Sequence, residues 1–208
     1  MEHWAPRTET IEQVPPRAER TVTTLLLGRL VRPGHVDTPC RIRNMSATGM
    51  LIEVRTALRE NDRITVEVRG ACPLNGRIAW TNDGRAGVQF DDMIDVEGLL
   101  HSISSGGGVN DAGSARAPRF DADSEAMVGV LGRLFPATLE NISQGGARVV
   151  CDQQLEPGRH VSLAVPQLGK RPCVVRWTDG ESIGLSFLDK LTFGDLSAWL
   201  DGHGKRRR

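Results

Sequence analysis

Tyrosine is absent from this chain of 208 residues, and aromatics make up only 4% of it. A core must therefore be aliphatic, built from Val, Leu and Ile. No apolar run approaches the roughly 20 residues that cross a bilayer, so no membrane span is expected. Residues 1–16 are polar, contain three prolines and lack the apolar centre of a secretory signal. They read as a disordered tail, and a cytoplasmic location is the expectation. An excess of one charge is also missing. The 26 Lys+Arg balance 26 Asp+Glu, so no global field draws nucleic acid or membrane, and any anion site must be local. Cysteines are few. Cys40, Cys72, Cys151 and Cys173 form no C-x-x-C pair, and their spacing suits neither zinc nor a disulfide framework. They read as buried free thiols in a reducing compartment. The histidines (His3, His35, His101, His160, His203) are scattered without partners at motif spacing, and no hydrolase, phosphate-loop or dinucleotide motif appears. The expectation is no enzyme, no catalytic residue, no metal and no cofactor.

What the chain does contain is a repeat. Asn44-Met45-Ser46-Ala47-Thr48-Gly49 and Asn141-Ile142-Ser143-Gln144-Gly145-Gly146 both read N-x-S-x-x-G, 97 residues apart. Leu58 and Leu155, Trp80 and Trp177, Gly87 and Gly184, and Phe90 and Phe187 keep that same offset. An ungapped match of this length is an internal duplication, with a period too long for a solenoid; each copy is a small domain. The resulting division is a tail at 1–16, a first unit at 17–104, a flexible linker at 105–115, a second unit at 116–202 and a basic tail at 203–208.

Within each unit, short alternating runs are separated by turn signals. Thr21 to Val31, Cys40 to Met45, Met50 to Val54 and Arg63 to Arg69 read as strands. Asn82-Asp83-Gly84 between two apolar runs predicts a hairpin. Apolar residues from Asp92 to Ile103 fall at helical spacing, and Leu188 to Leu200 repeat this in the second unit. Each unit is thus about six antiparallel strands and a helix, an all-β barrel or compact sandwich in which closure would hide short edges.

The Asn and Ser of the motif, two apart on a strand end, point to one face and both donate and accept hydrogen bonds. Its Gly suits a place where the chain turns or a ligand nears the backbone. A plain Asx or Ser turn satisfies the same pattern. Upstream of each motif lies an arginine pair, Arg17 and Arg20, then Arg116 and Arg119. Such guanidinium groups fork onto phosphates and stack on purines, or stand as solvated linker charges.

An arginine segment, a strand pair and (Asp/Asn)-x-Ser-x-x-Gly resemble the PilZ domain. Arg41-Ile42-Arg43-Asn44-Met45-Ser46, Glu140-Asn141-Ile142-Ser143-Gln144-Gly145-Gly146-Ala147, Leu155-Glu156-Pro157-Gly158 and the late Gly-x-x-Phe (Gly87 to Phe90, Gly184 to Phe187) carry the likeness in both units. The resemblance implies two small six-stranded antiparallel β-barrels, each followed by a helix. It also implies binding of the bacterial second messenger cyclic di-GMP without catalysis, with an output to motility or exopolysaccharide machinery through a protein partner. By that likeness the ligand residues are Arg17, Arg20, Asn44, Ser46 and Gly49, and Arg116, Arg119, Asn141, Ser143 and Gly146. The chain departs from the family in one respect. The family's R-x-x-x-R is here Arg17-x-x-Arg20 and Arg116-x-x-Arg119, with Pro16 and Ala115 where the longer spacing wants arginine. A lost charge-assisted contact would cost about 1.5–3 kcal/mol. A protein-interaction module that no longer binds nucleotide is therefore the alternative. Nucleic-acid binding is disfavoured by the balanced charge and the absence of an aromatic platform on the strands.

Overall fold

The computed structural model describes residues 21–68, 70–104 and 118–204. The tail at 1–16, the linker at 105–115, the basic run Lys205 to Arg208, and Arg17, Arg20 and Arg116 lie outside the described residues. The first unit comprises β1 (Thr21–Val31), β2 (Thr38–Ser46), β3 (Gly49–Glu53), β4 (Arg63–Val68), β5 (Leu74–Asn82), β6 (Arg85–Phe90) and α1 (Val96–Ser104). The second comprises β7 (Phe120–Val130), β8 (Arg133–Ser143), β9 (Gly146–Val150), β10 (His160–Val165), β11 (Gly169–Asp179), β12 (Ser182–Phe187) and α2 (Phe193–His203). Each set of six strands closes into an antiparallel barrel in the order β1-β2-β3-β6-β5-β4, repeated as β7-β8-β9-β12-β11-β10. Closure pairs every strand of these short sets on both sides and leaves no open edge.

Aliphatic alternation fills both barrels. Cys40, Ile42, Ile52, Val66 and Ile78 are buried in the first. Leu139, Val149, Leu163, Val175 and Ile183 are buried in the second. The duplication holds at the level of single hydrogen bonds. In the first unit the motif turn is tied down by Phe90 N donating to Thr48 O at 2.9 Å and Ile94 N to Ala47 O at 2.9 Å. In the second, Phe187 N donates to Gly145 O at 3.0 Å and Leu191 N to Gln144 O at 2.9 Å. These are the same four positions shifted by the repeat offset.

Two expectations are corrected. The first helix starts at Val96 rather than Asp92, because Asp95 caps it, its Oδ1 accepting from Gly98 N at 3.1 Å, while Ile94 N donates to Ala47 O of the motif turn. And Cys72 is exposed, while Cys40, Cys151 and Cys173 are buried. Burial pushes the Cys40 thiol up to about 12 and the Cys173 thiol to about 11.

The two helices differ. Thr192 caps α2, its Oγ1 accepting from Asp195 N at 3.1 Å, and Leu196, Trp199 and Leu200 enter the second core. Phe193 is only 3% exposed but belongs to neither barrel's core cluster. From the first barrel, Arg41 on β2 lies over its ring at 4.4 Å from the centroid. Arg55 lies beside Gly194 and Val36 beside Gly204, so α2 packs on both barrels. The Asp201 carboxyl is raised by burial, an effect opposed by the nearby Arg55. Val96, Leu99 and Ile103 of α1 are only partly buried, against their own barrel.

Candidate functional site

Along β2 and β8 the inward phase carries Cys40 and Ile42, then Leu139. A bulge follows, between Ile42 and Asn44 and between Leu139 and Asn141. The extra residue shifts the alternation by one. Met45 and Ile142 then point inward, and Asn44 with Ser46 turns outward. Asn44, Ser46, Thr48 and Gly49 line one cavity of about 320 Å³ with Trp80, Gly87 and Gln89. The expected shared face of Asn and Ser therefore exists in the first unit. In the second, Asn141 is half-buried and Ser143 only 6% exposed.

Each motif serine closes its own turn. Ser46 Oγ donates to Gly49 O and Ser143 Oγ to Gly146 O, both at 3.2 Å. A hydroxyl used this way still accepts. The motif glycines answer to a neighbouring strand. A Cβ on Gly49 would lie 2.3 Å from Val88 O, and one on Gly146 would lie 2.1 Å from Leu185 O. The close approach of β3 to β6, and of β9 to β12, accounts for them without a ligand.

The first strands of the two units start at matched points. Thr21 stands opposite Met45, and Phe120 opposite Ile142. Arg119 thus stands just before the first strand of its unit, and in sequence Arg20 is the residue before Thr21. Arg119 is the one sequence-predicted arginine among the described residues. Its Nη1 donates to Asn141 Oδ1 at 3.2 Å, bringing the arginine and motif halves of the second unit together. Beside them Arg148, opposite Asn141, pairs with Glu140 at 2.7 Å and donates to Ser182 Oγ at 3.1 Å. The first unit has Leu51 at that place.

Trp80 and Trp177 are residues that sequence reasoning used only as repeat markers. A second bulge precedes each, between Ile78 and Trp80 and between Val175 and Trp177. Each ring lies over a glycine of the neighbouring strand: a Cβ on Gly87 would be 2.1 Å from Trp80 Nε1, and one on Gly184 would be 2.2 Å from Trp177 Nε1. Trp80 remains 44% exposed, a flat apolar wall beside the Asn44 and Ser46 side chains. The signal was present as Trp and Gly at one fixed spacing in both copies. Among the described residues no group of three His, Cys, Asp or Glu side chains is placed to hold a metal. No described helix is long and apolar enough to cross a membrane.

No curated protein sequence matches the chain. Among solved structures, PlzA of Borreliella burgdorferi in complex with c-di-GMP is similar at 11% identity, with 83% of this chain and 86% of that one covered and a TM-score of 0.38. The inhibitor of motility MotI (DgrA) of Bacillus subtilis is similar at 16% identity, covering 86% and 95%, with a TM-score of 0.35. YcgR of Escherichia coli in complex with c-di-GMP is similar at 12% identity, covering 85% and 83%, also with a TM-score of 0.35. The PilZ domain family matches residues 16–106 and again residues 114–200, one match per barrel. With more than four fifths of its length so matched, the chain belongs to the PilZ domain family, which it carries as two tandem copies.

Proposed function

We propose that this protein is a non-catalytic receptor for cyclic di-GMP. The observation that carries this reading is the Arg119 to Asn141 contact, which joins an entering guanidinium to the N-x-S-x-x-G turn. In the second unit Arg119 would exchange its bond to Asn141 for a phosphate, and Arg116 would supply a further charge. The Asn141 amide, freed, offers a donor and an acceptor to a guanine edge. In the first unit Asn44 and Ser46 would read a guanine edge while the Trp80 face takes the purine ring, with Arg17 and Arg20 on the phosphates. A change in how the barrels are held would then pass to a protein partner in motility or exopolysaccharide machinery.

Calorimetric titration of the whole chain with cyclic di-GMP tests this. Heat of binding is expected, lost at one site in Arg119→Ala and at the other in Arg20→Ala. Absence of heat from folded protein would remove the reading.

A second reading is a protein-interaction module that has lost the nucleotide. The one-residue-short arginine spacing and the self-bonded, buried Ser143 favour it. Capture of a motility or exopolysaccharide protein at equal yield with and without cyclic di-GMP would support it, and tight nucleotide binding would count against it.

A further inference from the structure

We propose that Arg29, on the first barrel, is a positioning residue for the second barrel's site. It fixes the backbone of Arg119, so that site is complete only while the two barrels are docked. The proposal rests on the nucleotide reading above.

Arg29 lies on β1, opposite Pro39 on one side and Glu67 on the other. Its Nε donates to Asp37 Oδ2 at 2.8 Å, and its Nη1 donates to the carbonyl of Arg119 at 3.0 Å, across 90 residues of chain. Glu67 adds a carboxylate 3.6 Å from Nε. The Arg29 side chain is 13% exposed and that of Asp37 6%, so this is a buried bracket and not a surface pair. A planar guanidinium anchored at Nε between two carboxylates keeps a preferred direction for its other donors. That direction is the Arg119 carbonyl. Arg119 precedes the first ladder pair of β7, which is Phe120 with Ile142. The first barrel thus holds the backbone of the residue whose side chain meets Asn141.

Removing Arg29 alone would leave Asp37 buried without its cation. The test therefore uses the full chain carrying Arg29→Met with Asp37→Asn, beside Arg29→Lys. Asn44→Ala is added to each to silence the first site. Titration with cyclic di-GMP is expected to show binding weakened about tenfold in Arg29→Met/Asp37→Asn, the loss of one preorganising charge-assisted bond. Arg29→Lys is expected to fall between. A ligand-free reading accompanies it. The side-chain amide resonances of Asn141 report the Arg119 contact, and in Arg29→Met/Asp37→Asn they are expected to move to where Arg119→Ala places them. Full binding in Arg29→Met/Asp37→Asn overturns the proposal, as do unmoved Asn141 resonances. If the parent shows no heat with cyclic di-GMP, the nucleotide reading falls, and the Asn141 resonances alone decide whether Arg29 positions Arg119.

Discussion

Gly49 and Gly146 face backbone carbonyls on the next strand, which cannot yield as a side chain would. Alanine at either position is expected to destabilise the chain by about 1–3 kcal/mol, read from the urea midpoint. Nucleotide affinity in the surviving fold should change little by comparison. The presence of these glycines was legible in the motif. Their cause was not, because Val88 and Leu185 are distant in sequence and reach them through the β3–β6 and β9–β12 pairings. Thiols give a second residue-scale test. At neutral pH a disulfide reagent is expected to titrate Cys72 rapidly, with Cys40, Cys151 and Cys173 reacting only after unfolding. Burial raises the Cys40 thiol from 9.0 to about 12. Its neutral form is therefore favoured in the fold, and that stability is full below pH 9 and lost as pH rises towards 12. Cys40→Ala should flatten this alkaline loss in melts taken across that range.

Elements were legible wherever periodicity was clean. The alternation of Ile64, Val66 and Val68 and the Asp83-Gly84 turn became β4 and the β5–β6 hairpin. The bulges before Asn44, Asn141, Trp80 and Trp177 were not read, since one inserted residue shows in sequence only as a broken alternation. They are nonetheless what face Asn44 outward and set Trp80 and Trp177 over their glycines. Trp80→Ala is expected to weaken cyclic di-GMP binding at the first site by about 1–3 kcal/mol, leaving the second unchanged in the same titration. Saturation should also quench Trp80 emission. At α2, Thr192→Ala removes the cap and should cost about 1 kcal/mol in thermal or urea melts.

For the whole molecule, tandem duplication was the most legible feature, and the docking of the copies the least. Arg29, Arg41 and Phe193 follow no shared spacing, so nothing in the sequence joins them. The joint itself is testable. Phe193 is buried on a helix of the second unit, and Arg41 of the first barrel lies over its ring. Phe193→Ala should cost about 3–5 kcal/mol if the site stays closed. It is expected to split a joint unfolding transition into two, one per barrel, in calorimetric scans. A single unsplit transition would place the coupling elsewhere. One small contact reaches further. Ala122 near the start of β7 and Gly204 after α2 form an antiparallel bridge. The second unit's entrance and exit are therefore side by side. That geometry suits circular permutation, and it suits grafting the unit as a cassette into a loop of another protein, whose own folding would then pull on both ends at once.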